Sequence, residues 1–225
     1  MDALLRRRAM IAAGGDGPAP LPYTPVDYIE TDGTAYINTG IIGADPRSME
    51  IRCVVKRRGD LILATSTGAE NATNYTMLFI SNNADVVGFG HYYFYSNGFP
   101  SVQDSIANGT PFIARCAMKK GAQSMSVKMD GASEYTTASK TQGSSVNSGR
   151  EMYLFGSNTG SNPGHAASGT RVYYCKIYSN ETFATPVRDF VPCLYQGQYG
   201  MWDKVSDTFF GNAAASGAFS GPSNS

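Results

Sequence analysis

Apolar and polar residues alternate along most of this chain from Tyr23 onward, which is the period of β-strands. In 124–130, Met125, Val127 and Met129 fall on one face, and Asp130-Gly131 then predicts a hairpin turn. Similar runs lie at 49–56, 61–65, 76–80, 86–95, 111–118, 151–155, 170–178 and 187–191. About twelve strands with no helix between them predict an all-β fold, a two-sheet antiparallel jelly-roll sandwich.

Polar stretches lie between these runs and predict the connections between strands. Two segments rich in Ser, Thr, Gly and Asn, at 136–150 and 157–168, are predicted to be exposed connections. The segment Glu30-Thr-Asp-Gly33 lies between Tyr28-Ile29 and Tyr36-Ile37. It predicts a tight reversal between two short strands.

The first 22 residues differ from the rest of the chain. Residues 1–13 are basic and rich in Ala, Leu and Met with helical spacing, and 14–22 form a Gly/Pro-rich linker. We therefore divide the chain into a flexible or short-helical N-terminal arm at 1–22 and a β-sandwich at 23–225. Such an arm is either a frayed terminus or an anchor that orders on a partner surface. The residues that would form the anchor are Leu4, Leu5, Arg6, Arg7, Arg8, Met10 and Ile11.

The charge balance argues against two classes of partner. Eighteen basic and eighteen acidic residues give a formal net charge of zero, so no overall field attracts nucleic acid or an anionic membrane. No run approaches the roughly 18 apolar residues that a transmembrane helix needs. The apolar run at 9–13 is shorter than the apolar region of a signal peptide, so no secretion signal is predicted. We expect no nucleic-acid partner and no membrane partner.

Few residues suggest catalysis or metal binding. Cys53 and Cys175 lie in the apolar phase of predicted strands, which favours buried thiols over metal ligands. Glu30, Asp32 and Asp203 come nearest to the paired carboxylates of a glycosidase, but they lie at predicted turns, where solvated carboxylates cap the backbone. We therefore predict no enzyme activity, no catalytic residues, no cofactor and no metal site, and leave open whether calcium binds.

Aromatic residues are the one positive binding signal, with 14 Tyr, 11 Phe and 1 Trp. Flat rings stack on the apolar faces of sugars while Asn side chains bond sugar hydroxyls, so a lectin-like site needs both residue types near loop ends. Packing in the sandwich core is the alternative role for any one of these rings. The candidate glycan-binding residues are Tyr92, Tyr93, Tyr95, Asn97, Asn158 and Asn162.

Motifs at both ends of the chain carry a resemblance to a known family. The chain opens on Tyr28-Ile-Glu-Thr-Asp-Gly-Thr-Ala-Tyr-Ile-Asn-Thr-Gly40 and closes on Lys176-Ile-Tyr178, Val187-Arg-Asp-Phe-Val-Pro-Cys193, Gly200-Met-Trp-Asp203 and Gly221-Pro222. With Leu154-Phe-Gly156 between them, these motifs resemble the concanavalin A-like, laminin G-like jelly-roll modules of phage and prophage proteins from gut bacteria. The resemblance covers about 26–222 and implies the same sandwich, whereas a fold leaves the function to be argued separately.

Two functions are compatible with the arm and the predicted sandwich. The first expectation is a non-catalytic virion structural protein, a decoration or fibre module bound to other virion proteins of the capsid or tail through its N-terminal arm. Such a protein would lie on the virion surface after assembly in the bacterial host cytoplasm. The alternative is a carbohydrate-binding, lectin-like module that recognises host or mucosal glycans. Whether the chain forms a homo-oligomer is left open.

Overall fold

A computed structural model of the protein describes residues 20–56, 61–66, 75–80, 86–91, 101–103, 109–142, 147–160, 163–166 and 168–222. The described residues form nineteen strands. They are β1 (Thr24–Pro25), β2 (Ile29–Thr31), β3 (Ile37–Ala44), β4 (Arg47–Val54), β5 (Leu61–Ser66), β6 (Tyr75–Ile80), β7 (Val86–His91), β8 (Ser101–Gln103), β9 (Phe112–Lys119), β10 (Gly121–Met129), β11 (Thr136–Gln142), β12 (Asn147–Leu154), β13 (Gly156–Asn158), β14 (Gly164–His165), β15 (Arg171–Tyr178), β16 (Pro186–Tyr195), β17 (Gln198–Asp203), β18 (Thr208–Phe210) and β19 (Phe219–Ser220).

These strands form two sheets. Sheet A has eleven strands: β11, β10, β9, β4, β15, β16, β17 and β18 lie side by side in that order, β1 pairs with β16, and β2 pairs with β15 and β19. Sheet B has eight: β14, β13, β5, β6, β7 and β8 lie in that order, and β12 pairs with β5 and β3. The pairing of β13 with β5 is parallel, and the other described pairings are antiparallel. The predicted two-sheet antiparallel sandwich is confirmed.

The hydrophobic core lies between the two sheets. In β9, Phe112, Ala114, Cys116 and Met118 are buried, while the residues that alternate with them are more exposed. The alternation predicted for β10 is confirmed, since Met125 and Val127 are also buried. Burying side chains of this size stabilises a fold by roughly 1.5–3 kcal/mol each, so the period of two directs the chain into this sandwich. Residues from both sheets complete the core, among them Ile29, Ile37, Met49, Ile51, Leu63, Leu78, Leu154, Val172, Ile177 and Phe190.

The predicted reversal at 30–33 has the expected turn chemistry but a different role in the fold. Asp32 Oδ1 accepts hydrogen bonds from the N–H groups of Thr34 at 2.8 Å and Ala35 at 3.0 Å, and Gly33 has a φ of 95°. However, β2 belongs to sheet A and β3 to sheet B. The two predicted strands are present on either side of the turn, but they do not pair, and the turn carries the chain from one sheet to the other. Glu30 lies within β2 and not at the turn.

The two predicted connections also contain strands. Segment 136–150 includes β11 and the start of β12, and 157–168 includes part of β13 and all of β14. Strand β11 lies at the edge of sheet A with mostly exposed side chains, and that environment accepts the Ser/Thr-rich sequence of this segment. The prediction of connections is therefore wrong where these segments form strands, whereas the predicted exposure holds for most of β11.

The N-terminal arm lies largely outside the described residues, including all of its predicted anchor residues, Leu4, Leu5, Arg6, Arg7, Arg8, Met10 and Ile11. The side chain of Leu21 is 50% exposed. From Tyr23 the chain contacts the sandwich, because the ring of Tyr23 stacks on Trp202 with centroids 4.8 Å apart and β1 pairs with β16. In the part of the chain that is described, no helix has the length and apolarity needed to cross a membrane.

Candidate functional site

The outer face of sheet B carries a group of aromatic and polar side chains where β3 lies beside β12. Tyr153 of β12 pairs with Asn38 of β3, while the flanking Ile37 and Leu154 are buried in the core. Glu151 lies two residues from Tyr153 on β12 and shares its face, and Tyr36, just before β3, stacks on Tyr153 while also packing against the core. These four half-buried residues, together with Asn158, are called the β3–β12 patch.

Two tyrosines form the apolar part of the β3–β12 patch. The rings of Tyr36 and Tyr153 are stacked with centroids 4.4 Å apart and planes 15° from parallel. Burial raises the pKa of Tyr153. The neighbouring Tyr36 phenol, through its charge and a hydrogen bond with Tyr153, and the charge of Glu151 raise this pKa further. The phenol of Tyr153 thus stays neutral at physiological pH, and the two rings hold each other in a fixed orientation.

The amide and carboxylate groups of the β3–β12 patch hold one another in place. Asn38 Nδ2 donates to Glu151 Oε2, and Asn38 Oδ1 accepts from the N–H of Gly40 at 3.0 Å. Asn158 Nδ2 donates to the backbone carbonyl of Glu151 at 3.0 Å, and Asn158 Oδ1 accepts from the N–H of Gly160 at 3.1 Å. A carboxylate has about four lone-pair sites, so Glu151 can accept further hydrogen bonds from a ligand beside the one from Asn38.

A residue with an unusual backbone conformation brings Asn158 to this patch. Phe155 lies between β12 and β13 with a φ of 67°, a region that is costly for a bulky side chain. Its N–H donates to the carbonyl of Ile62 at 2.8 Å, its carbonyl accepts from Ala166 at 2.9 Å, and its ring is fully buried. These contacts hold the conformation that turns the chain from antiparallel to parallel with β5.

Among the six residues predicted to bind glycan, only Asn158 is described. Tyr92, Tyr93, Tyr95, Asn97 and Asn162 lie outside the described residues. The amide of Asn158 bonds the backbone of its own loop and of β12, so part of its hydrogen-bonding capacity is used within the protein. For the other five residues, glycan binding stays a prediction.

Strand register nevertheless relates the two regions that contain those predicted residues. Asn158 pairs with Thr65, Thr65 with Thr76, and Thr76 with His91. Strands β13 and β7 both run in the direction of β5, since β13 is parallel to β5 and β6 is antiparallel to both β5 and β7. The C-terminal ends of β13 at Asn158 and of β7 at His91 therefore lie at the same end of the sheet B strands. They are three strand spacings, or about 14 Å, apart.

Sequence reasoning missed Tyr36, Asn38, Glu151 and Tyr153 as members of a site. Asn38 and Tyr36 stand in the opening motif, and Glu151 and Tyr153 alternate with buried residues of β12. Alternation indicates that these side chains point away from the core. The proximity of residues more than a hundred positions apart depends on the pairing of β3 with β12, which no local pattern encodes.

The carboxylates considered for glycoside cleavage are occupied by other groups. Glu30 forms an ion pair with Arg171. Asp203 is 0% exposed, accepts hydrogen bonds from three backbone N–H groups, and lies 3.5 Å from the guanidinium of Arg188. The interpretation of Asp203 as a solvated turn carboxylate is wrong, because the rest of the sandwich covers the turn that it caps.

All four cysteines are free and buried, which confirms the prediction of buried thiols. Burial raises the pKa of each thiol, and that of Cys193 rises to about 12. Neutral thiols are poor nucleophiles and poor metal ligands. The described residues contain no group of three or more His, Cys, Asp or Glu side chains that could hold a metal ion.

Comparison of the chain with known protein families and with curated protein sequences finds no match. Among solved structures, it is similar to domains LG4-5 of the mouse laminin alpha1 chain, with 11% identity, a TM-score of 0.46, and coverage of 79% of this chain and 49% of that chain. This chain thus spans about half the length of that laminin fragment.

The chain is also similar to the CBM40 of the Ruminococcus gnavus IT-sialidase bound to alpha2,3 sialyllactose, with 10% identity, a TM-score of 0.48, and coverage of 69% of this chain and 90% of that chain. The exoplasmic/lumenal domain of VIP36 in a Ca2+/Man2-bound form shows 10% identity and a TM-score of 0.42 over 71% of this chain and 79% of that chain. Identities this low concern the fold and leave the ligand of this chain to its own side chains.

Proposed function

We propose that this protein is a carbohydrate-binding module and that the β3–β12 patch contacts the sugar. The observation that supports this proposal is the stacked Tyr36–Tyr153 pair beside the hydrogen-bonded Asn38 and Glu151. A sugar ring has an apolar C–H face and a rim of hydroxyl groups. The tyrosine rings match the apolar face, and the carboxylate and amide groups match the rim of hydroxyl groups.

The pre-organisation of this patch favours binding. The tyrosine rings are stacked on each other, and Asn38 and Asn158 are fixed by bonds to the backbone. A ligand would therefore not have to order these side chains at about 0.5–1.5 kcal/mol for each immobilised group. With a formal net charge of zero on the chain, affinity would come from stacking and hydrogen bonds rather than from an overall field.

The test is a glycan array followed by isothermal titration calorimetry with a glycan that binds. We expect Tyr153→Ala to weaken binding by roughly 10-fold or more, since it removes one ring of the stacked pair. Glu151→Gln should weaken binding by a similar factor, since hydrogen bonds to a charged group are each worth about 1.5–3 kcal/mol. Tyr173→Ala is a matched control, because Tyr173 lies in sheet A under the guanidinium of Arg52.

Three results would count against this proposal. Full glycan binding by both single variants, Tyr153→Ala and Glu151→Gln, would exclude the β3–β12 patch as the binding site. Loss of binding in Tyr93→Ala with retention in Tyr153→Ala would place the sugar at the predicted Tyr92–Asn97 segment instead. An array with no bound glycan would exclude a carbohydrate-binding role for the chain.

A second proposal concerns attachment to a particle. The described contacts between the start of the chain and the sandwich begin at Tyr23, and Leu21 just before it is 50% exposed. We propose that the N-terminal arm at 1–22 anchors the protein to other virion proteins of a phage, so that the sandwich projects from the virion surface. Incorporation of the full chain, but not of the chain without 1–22, into assembling particles would support this role, and equal incorporation would contradict it.

A further inference from the structure

A bulge in β3 brings an exposed apolar side chain next to the β3–β12 patch. Asn38 of β3 pairs with Tyr153 of β12. Ile42, four residues further along β3, pairs with Glu151, which is only two residues back along β12. The extra residues of β3 form a β-bulge, in which Gly40 has a φ of 68°. Ile42 therefore lies one same-face position away from Asn38, whereas a regular strand would place it two such positions away.

The side chain of Ile42 points away from the core. The preceding Ile41 packs against the core, so alternation turns Ile42 to the outer face of sheet B. Ile42 is 42% exposed. The other two large apolar side chains that are exposed among the described residues, Leu21 and Val205, lie outside the strands. Ile42 is therefore directly accessible to a ligand on this face.

Three kinds of group lie side by side at this place. Directly paired residues have Cβ atoms about 4.5–5.5 Å apart, so Ile42 lies beside Glu151. The side-chain amide of Asn38 carries two N–H donors, and it can donate to a ligand beside the bond that it gives to Glu151. An apolar contact, a hydrogen-bond acceptor and a hydrogen-bond donor thus adjoin the ring of Tyr153.

We propose that the β3–β12 patch selects N-acetylhexosamines, and that Ile42 contacts the methyl of their acetamido group. This inference rests on the proposed carbohydrate-binding function. The sugar ring would stack on Tyr153. The acetamido N–H would donate to Glu151, its carbonyl oxygen would accept from Asn38, and its methyl would cover Ile42.

Two related substituents match this arrangement less well. A hydroxyl group can donate to Glu151 but leaves the apolar surface of Ile42 uncovered. A free amino group is charged and can pair with Glu151, but it cannot accept a hydrogen bond from Asn38 and has no methyl. Of the three substituents, only the acetamido group uses all three side chains.

The experiment compares sugars that differ only in the substituent on carbon 2. One set is N-acetylglucosamine, glucose and glucosamine, and the other is N-acetylgalactosamine, galactose and galactosamine. Binding to the full chain is followed by nuclear magnetic resonance titration, which measures weak affinities. We expect the acetylated sugar of at least one set to bind roughly 10-fold or more tightly than the other two sugars of that set. Equal affinities within both sets, or tightest binding by the amino sugars, would overturn the inference.

Substitution of Ile42 tests the contact with the methyl group. Ile42→Thr keeps a β-branched side chain suited to a strand and removes apolar surface. The preference for the acetylated sugar over its hydroxyl counterpart should fall by roughly 4-fold or more, the factor expected for one buried aliphatic carbon. Val205→Thr is the matched control, because Val205 is 50% exposed and lies between β17 and β18 of sheet A. An unchanged preference in Ile42→Thr, or an equal loss in Val205→Thr, would overturn the assignment of Ile42.

The same titrations separate this inference from the proposed function. If Tyr153→Ala weakens the binding of glucose and N-acetylglucosamine alike, and the parent protein does not distinguish them, carbohydrate binding stands and the acetamido selectivity is wrong. If no sugar of either set binds and the glycan array is also empty, both proposals fail. Equal loss of affinity for both sugars in Ile42→Thr would show a structural role for Ile42 and overturn its assignment, whereas loss of the preference alone would support it.

Discussion

The buried ion pair between Asp203 and Arg188 is predicted to be a major contributor to the stability of the sandwich. Asp203 Oδ1 accepts hydrogen bonds from the N–H groups of Asp189 at 2.8 Å and Val205 at 3.2 Å. Its Oδ2 accepts from the N–H and hydroxyl of Ser206 and lies 3.5 Å from Arg188. The test is the substitution Asp203→Ala, which removes all of these acceptors in one step.

The location of Arg188 gives the expected magnitude. Its side chain is 20% exposed, and its Nε donates to the carbonyl of Thr39 in sheet B at 3.0 Å, so the pair also links the two sheets. Removing one partner of a buried pair leaves an uncompensated charge and typically costs about 3–5 kcal/mol. For a chain of this length that cost corresponds to a fall in the melting temperature of roughly 6–20 °C.

The assay is urea unfolding followed by the fluorescence of Trp202, whose indole N–H donates to the nearby Asp207 at 3.1 Å. Arg188→Met and the double variant Asp203→Ala/Arg188→Met complete a double-mutant cycle. The double variant should be more stable than the sum of the two single changes predicts, because it no longer contains an unpaired charge. Asp130→Ala is the matched control, since its carboxylate is 55% exposed and such a surface pair contributes about 0–1 kcal/mol.

Two outcomes would refute this reasoning. A loss of less than about 1 kcal/mol in Asp203→Ala would show that water or a neighbouring group replaces the carboxylate. Strictly additive effects of the two substitutions would show that Asp203 and Arg188 do not stabilise each other. Either result would mean that Asp203 only caps its own turn, which is the role expected from the sequence alone.

Three further predictions concern the thiols and the N-terminal arm. Because burial raises the pKa of Cys193 to about 12 from 9.0, the unfolded thiol ionises before the folded one, so the free energy of unfolding should fall as pH rises from 9.0 towards 12. Urea titrations across this range would check the decline, which should be smaller in Cys193→Ala. The four buried thiols should resist a thiol reagent in the native protein and react after denaturation, and rapid native labelling seen by mass spectrometry would contradict their burial. Deletion of 1–22 should leave the melting temperature nearly unchanged in calorimetry, whereas Tyr23→Ala in the full chain should lower it, because Tyr23 stacks on Trp202.

Local patterns in the sequence were sufficient to predict the fold class. The period of two placed Met125 and Val127 in the core and, with the apolar surroundings of Cys53 and Cys175, predicted buried thiols. These predictions succeed because burial on one face of a strand depends on neighbours two residues away. Turn chemistry at Asp32 was equally local, since an Asp side chain caps the N–H groups that follow it.

Only the tertiary structure decided which segments meet. Alternation assigns a side chain to one of two faces but does not say which sheet a strand joins, so the change of sheet after Asp32 could not be predicted. The same limit concealed the proximity of Tyr153 to Tyr36 and the burial of Asp203 beside Arg188. The lack of a hydrogen-bond partner for Arg47 Nε among the described residues could not be predicted either, because it depends on the groups that surround this atom in the fold. Such properties arise from pairings between residues far apart in the chain, which the period of one strand does not specify.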